Sequence, residues 1–243
     1  MENETWQEVY VDRYYRSRAI WVDGTTEFHN LCRQFICRNS RVLEVGAGPS
    51  NRTSAFLSRT AHFVLGLDID EAVRENRFLS AACVYDGNQF PFEDAYFDVA
   101  VSDYVMEHLK NPLLVSQEIN RVLVPGGIFL FRTPNIFHYV SVISRFLPAL
   151  LSNWSRNLPD DAHQPYKAFY RFNSISKCRR LLAAAGFEIK GMSLIEKEPS
   201  YGMKSRLLFF PMLAYERLVN SLELFCHFRA NILCAAKKSG TVS

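Results

Sequence analysis

The residues best able to do chemistry lie in one stretch, and three of them are acids. Glu44 stands two positions ahead of the first glycine of Gly46-Ala47-Gly48, Asp68 lies 20 positions beyond Gly48, and Asp86-Gly87 follows a third apolar run. Glycines at the end of a strand let backbone pass close to a ligand, and a helix that follows offers free N–H groups. An acid beside such a loop repels pyrophosphate and suits a ligand carrying an ammonium group. A carboxylate at the end of the second strand can accept hydrogen bonds from both hydroxyls of a ribose. Any one of these acids also reads as a solvated loop residue or a helix cap. Taken together with the glycines, they read as a ligand site. A nicotinamide site would show GxGxxG in this turn, and Asn51 occupies the third glycine position.

These residues need particular elements to position them. Arg41-Val-Leu-Glu-Val45 is a short apolar run ahead of the glycines, and a helical pattern follows through Ala55, Phe56 and Leu57. His62–Leu67 is a second strand-like run, Ala82–Tyr85 a weaker third and Phe97–Val101 a fourth. A helix-like segment, Val105–Leu109, comes next. Pro112–Leu123 reads as a helix, Pro125-Gly-Gly127 as a turn and Ile128–Phe131 as a buried strand. Ser174–Ala185 reads as a helix closed by Gly186, Phe187–Ile189 as a strand and Ala230–Ala235 as a last strand. Strands alternating with helices imply an α/β fold: about seven strands, mostly parallel, with helices on both faces. Every acid named above then falls at the carboxyl edge, where open α/β sheets bind ligands.

Composition narrows the function. A net charge of +3 on 243 residues is too small for a dedicated nucleic-acid binder, so no nucleic-acid partner is expected. The six cysteines form no CxxC pair and read as buried thiols in a reducing compartment. The first residues show neither the basic nor the apolar part of a signal peptide, and no apolar run reaches membrane-spanning length, so a cytoplasmic protein without a membrane span is expected.

The segments VLEVGAGPS (42–50), GLDID (66–70), YDGNQFPFEDAYFDVAVSDYVMEHLKNP (85–112) and EINRVLVPGGIFLFRTPN (118–135) occur in a telling order and spacing. They resemble the class I, Rossmann-like S-adenosylmethionine-dependent methyltransferases, in the small-molecule group that includes the ubiquinone-biosynthesis O-methyltransferases. Weaker similarity runs through RFNSISKCRRLLAAAGFEI (171–189). The resemblance implies a single methyltransferase domain over 1–243. Residues 1–40 would be an N-terminal helical cap of two amphipathic helices, 41–135 the cofactor-binding core, 136–172 a lid or acceptor-pocket insertion and 173–243 the C-terminal half of the sheet. It implies S-adenosyl-L-methionine as cofactor, with Glu44, Gly46, Ala47 and Gly48 at its methionine end. Asp68 would bind the ribose, Ile69 pack on the adenine, Asp86 and Gly87 sit at the adenine edge and Ser102 lie under the methionyl portion. Two departures stand out: Ser50 and Asp70 occupy positions where relatives often carry Gly and Ser, and the added charge of Asp70 has no role in that scheme.

The chemistry expected is transfer of a methyl group from a sulfonium to a small-molecule acceptor, at oxygen, in a biosynthetic pathway. A base is needed only for a poorly acidic hydroxyl, and His108, His138 and His163 are the candidates, each equally readable as a structural histidine. No metal site is expected, because the acids are spread over cofactor positions. The aromatics of 136–172 could line an apolar acceptor pocket, belong to the core or form the face of a homodimer. Alternatives are a non-catalytic scaffold protein of the same fold, or an enzyme acting on RNA or protein. Against the latter, SDYV (102–105) stands where amino-group methylators carry an NPPY-like tetrapeptide.

Overall fold

The computed structural model describes residues 5–17, 21–146, 166–197 and 205–240, with side chains in the second stretch described as far as residue 142. Seven strands form one sheet in the order β3-β2-β1-β4-β5-β7-β6. They are β1 (Arg41–Val45), β2 (Phe63–Asp68), β3 (Ala81–Val84), β4 (Phe97–Asp103), β5 (Leu123–Pro134), β6 (Phe187–Ile195) and β7 (Asn231–Lys238). The pairs among β1 to β5 are parallel, while β7 runs antiparallel between β5 and β6. This is the expected α/β architecture, with β6 and β7 longer than their apolar cores alone suggest.

The central strands β1 and β4 are buried on both faces because both faces are covered, whereas the edge strands β3 and β6 are mostly half-buried or exposed. On one side Leu43, Val45, Leu67, Phe129, Phe131 and Cys234 pack against α4 (Pro112–Val122) and α6 (Ile175–Ala184), through residues such as Ile119 and Leu182. On the other side Val42, Val64, Val99, Val101 and Leu130 pack under α2 (Gly24–Arg33) and α3 (Arg52–Thr60), through Phe28, Cys32, Phe56 and Leu57. Fully burying a side chain of this size contributes roughly 1.5–3 kcal/mol. At the N-terminal end α1 (Trp6–Val11) continues as a π turn, Asp12–Arg16, and the rings of Tyr10 and Tyr14 pack edge-on and tilted against Phe209 of α7 (Arg206–Ser221). α5 (Tyr139–Phe146) follows β5.

Three local expectations are corrected. Val105–Leu109 is not a helix: only Met106–His108 make a 3-10 turn, entered through Tyr104 at φ +59° and left toward Pro112, whose ring keeps Asn111 out of the helical region. Pro125-Gly126-Gly127 does not end a connection but sits inside β5. There Phe97 pairs with Leu123, pairing resumes at Val99 with Ile128, and the surplus residues bulge out with Gly126 at φ +79°. The cysteines are all free, but Cys37 is exposed and Cys83 and Cys226 half-buried rather than core.

Candidate active site

The site begins at the end of β1. Gly46 and Gly48 adopt φ of +73° and +52°, and a Cβ on Gly46 would overlap the Val105 side chain. Gly46 N–H donates to the Leu67 carbonyl at 2.7 Å, and Asn51 caps α3 by accepting from the amides of Thr53 (2.7 Å) and Ser54 (2.9 Å). Glu44, 3% exposed, accepts from the Ser54 hydroxyl at 3.0 Å through Oε1, while Oε2 is buried without a hydrogen-bond partner. Burial pushes its carboxyl up to about 8, with the charges of Asp103 and Asp68 adding to the shift.

Asp68 locks the exits of β1 and β2 together. Its Oδ2 accepts from Gly48 N–H at 2.8 Å and its Oδ1 from Asp70 N–H at 3.0 Å, and each oxygen keeps a lone pair for a further donor. Asp70 in turn caps the 3-10 turn Glu71–Glu75 by accepting from Ala72 N–H at 2.9 Å. Ile69 is 53% exposed beside Gly87, whose own φ is +85°. Asp86 is exposed and accepts from the amide and side chain of Asn88, which hold its carboxyl below the ordinary range. Asn76 had escaped notice in the sequence. Buried, it sets its side-chain amide within 3.4 Å of the carbonyls of Ala47, Gly48 and Pro49 and 2.9 Å from the Ser54 hydroxyl, so it pins the glycine loop from below. No periodic pattern marks it in Glu75-Asn-Arg77; only a buried amide facing loop carbonyls reveals it.

At the exit of β4 the side chains divide between the two faces of the sheet. Ser102 is fully buried in register with Val45 and Phe131, its hydroxyl without a partner. Asp103, half-buried, forms a bidentate pair with the buried Arg132 at 2.7 and 2.8 Å and also accepts from Thr53 at 2.7 Å, tying β4, β5 and α3 together. Glu107 is buried and accepts from Thr133 at 3.1 Å, and burial pushes its carboxyl up to about 7. His108, beside it, shares a hydrogen bond with the Lys167 carbonyl at 3.3 Å, and burial lowers the basicity of its ring.

The three candidate histidines are therefore not gathered into one place. His108 stands at the exit of β4, with Nε2 3.9 Å from Glu107 Oε1. His138, 7% exposed, is enclosed by Tyr139, Tyr215 and Glu196, whose Oε2 lies 3.4 Å from Nε2, and none of these belongs to the glycine loop. His163, with most of segment 136–172, lies outside the described residues. Among the described residues no group of three or more His, Cys, Asp or Glu is placed to hold a metal, and no helix is long and apolar enough to cross a membrane.

This arrangement could hold a particular kind of ligand. A buried acceptor without a partner at Glu44 suits an ammonium group. Asp68 offers two oxygens to neighbouring hydroxyls, and Ile69 beside Gly87 offers an apolar surface to a flat ring. Gly48 leaves the space between open, since the nearest atom to an added Cβ is Asp68 Oδ2 at 4.0 Å. S-adenosylmethionine has these parts in this order, and the residues fit it.

Fold and residue set together define the architecture of the Rossmann-like, class I methyltransferases. Within it, residues 43–131 match the family model described as a methyltransferase domain, and curated relatives match over a similar share of the chain. One, from Mycolicibacterium smegmatis and named a probable S-adenosylmethionine-dependent methyltransferase, is 37% identical over 41% of this chain and 40% of its own length. The chain thus spans about two fifths of that relative. The ubiquinone biosynthesis O-methyltransferase of Neisseria meningitidis serogroup C is 24% identical over 68% of this chain and 72% of that protein. Among solved structures, an S-adenosylmethionine-dependent methyltransferase from Mesorhizobium loti superposes with a TM-score of 0.54 at 16% identity, covering 86% of this chain and 96% of the other. The [4+2]-cyclase SpnF superposes at 0.57 and 17% identity, covering 88% and 80%. At these identities the structures share a fold, and SpnF carries a different reaction name on it.

Proposed function

We propose that this chain transfers a methyl group from S-adenosylmethionine to an oxygen of a small-molecule acceptor in the cytoplasm. The observation that carries the reading is the unpartnered Glu44 Oε2 at one end of a glycine loop whose other end is held by Asp68. When bound, the donor supplies a methyl already activated by its own sulfonium, so the protein's work is alignment and exclusion of water. Glu44 takes the ammonium end and fixes the donor along β1. Asp68 takes the ribose hydroxyls, Ile69 and Gly87 flank the ring and Asp86 bounds its edge. Gly46, Ala47 and Gly48 let backbone lie against the methionine portion, and Ser102 offers a buried hydroxyl below it.

The acceptor side falls at the exit of β4. There His108, its basicity lowered by burial, is neutral near pH 7 and able to take the proton of an acceptor hydroxyl. Oxygen as the target is supported by the similarity to an enzyme named for O-methylation, and a reducing compartment by free cysteines throughout.

Titration calorimetry with S-adenosylhomocysteine tests the donor site: saturable micromolar binding is expected, and its absence sinks the proposal. For His108, His108→Asn is expected to lower kcat by 10²- to 10⁴-fold with donor affinity kept. An unchanged kcat removes it from the chemistry.

A further inference from the structure

Asp70 adds a negative charge two residues beyond Asp68, and the donor scheme gives it nothing to do. The structure gives it a partner from far along the chain. While its Oδ1 caps the turn at Ala72, its Oδ2 accepts the Tyr166 hydroxyl at 2.8 Å. Tyr166 opens a short segment whose next residues are anchored elsewhere. The Lys167 carbonyl meets His108 Nδ1 at 3.3 Å, and the amides of Phe169 and Tyr170 donate to the Glu107 carbonyl at 2.7 and 3.1 Å.

Strand order says where this segment runs. Asp70 follows β2, Glu107 and His108 follow β4, and β1 lies between those two strands. Residues 167–170 are held at the β4 exit, so it is the Tyr166 side chain, its ring 6.2 Å from that of His108, that reaches to the β2 exit, past the exit of β1, which is the glycine loop. Hydrogen bonds also run on beneath it, from Tyr166 through Asp70 and Asp68 to Gly48 N–H.

The two anchors are unequal. At the β4 end the strap is held by two backbone amides. At the β2 end it is held by one side-chain hydroxyl of a residue that is 48% exposed. A hydrogen bond to a charged group contributes roughly 1.5–3 kcal/mol, and less where water competes. The Tyr166 end is the one that opens.

We propose that Tyr166 and Asp70 form a latch whose side-chain bond spans the gap between the β4 and β2 exits beside the glycine loop, and that opening this latch gates the binding and release of the methyl donor and its demethylated product. The proposal rests on reading the glycine loop as the donor site. Tyr166 is on this account a positioning residue, and Asp70 is its catch.

The test is the kinetics of S-adenosylhomocysteine binding to the whole chain, by stopped-flow association and by dissociation under chase with unlabelled ligand. Tyr166→Phe keeps the ring and removes the hydroxyl. Asp70→Ser keeps a cap for Ala72 and removes the catch. Each is expected to raise the association and dissociation rates together, by about tenfold, with the dissociation constant changed less than about threefold. The double variant should match either single one, because both break the same bond.

A higher dissociation rate with unchanged or slower association would mean a lost contact rather than a gate, and would overturn the latch. So would unchanged rates in both variants, or additive effects in the double variant. Failure of the unaltered protein to bind S-adenosylhomocysteine would instead overturn the donor-site reading, and the latch with it.

Discussion

Glu44 sets the sharpest expectation for a single residue. Its carboxyl sits at about 8 without a ligand, so near pH 7 the free site holds a proton. An ammonium group beside it favours the carboxylate, and donor binding should then release that proton. Affinity should rise with pH, by up to about tenfold per pH unit below pH 8, until the ligand's own ammonium group begins to lose its proton. Calorimetry at pH 7 in two buffers of different ionisation enthalpy should report release of nearly one proton, and Glu44→Gln should abolish it. Asp68→Ala should weaken S-adenosylhomocysteine by roughly 10- to 100-fold, since a charged acceptor is lost and Gly48 N–H is released with it. An equal dissociation constant would remove Asp68 from the site. Both acids were legible in the sequence because each closes an apolar run at a fixed distance from the glycines. Asp103 and Arg132 were not, because they lie 29 residues apart on adjacent strands, and only the register of β4 with β5 makes them a pair.

At the scale of elements, the glycine loop is held from three sides: by Asp68, by the Asn51 cap of α3 and by Asn76. Asn76→Ala should cost about 1–3 kcal/mol, the penalty of leaving loop carbonyls buried without donors. That loss would be seen as a lower midpoint in chemical unfolding together with weaker donor binding. An unchanged midpoint would mean the loop holds its shape without the amide. Strand existence was readable from apolar runs of the right length, and α4 from Pro112 at its first turn behind the cap Asn111. The misreadings share one cause. Pro-Gly-Gly at 125–127 has the chemistry of a turn, and the backbone does bend there. But β4 offers a ladder that resumes at Val99, so strand pairing absorbs the bend as a bulge. At 105–109 the apolar spacing of a helix is overruled by the left-handed Tyr104, whose hydroxyl is bonded to Asn231 at 3.0 Å.

Across the whole molecule, buried acids make stability depend on pH. The Glu107 carboxyl lies at about 7 in the fold against 4.5 ordinarily, so between those values the folded chain holds a proton that the unfolded chain has lost. Stability should therefore be highest below about pH 4.5 as far as this group is concerned. It should fall by on the order of 3 kcal/mol as pH rises through 7. Thermal midpoints from pH 5 to 8 should show the decline, and Glu107→Gln should flatten it; an equal slope in the variant would locate the effect elsewhere. The parallel sheet and its ligand-bearing edge were open to sequence reasoning because they repeat one local rule, strand then acid. The insertion of β7 between β5 and β6 breaks that rule, and no local pattern announces it. Its consequence reaches into synthesis. Until Asn231–Lys238 has left the ribosome, β5 has an unpaired edge and β6 has no neighbour to pair with. The half of the sheet that carries the glycine loop can assemble while translation continues, but its far half must wait for residues 231–238. A nascent chain stalled before residue 231 would leave β5 open along one edge and β6 unpaired, an invitation to chaperones and to aggregation alike.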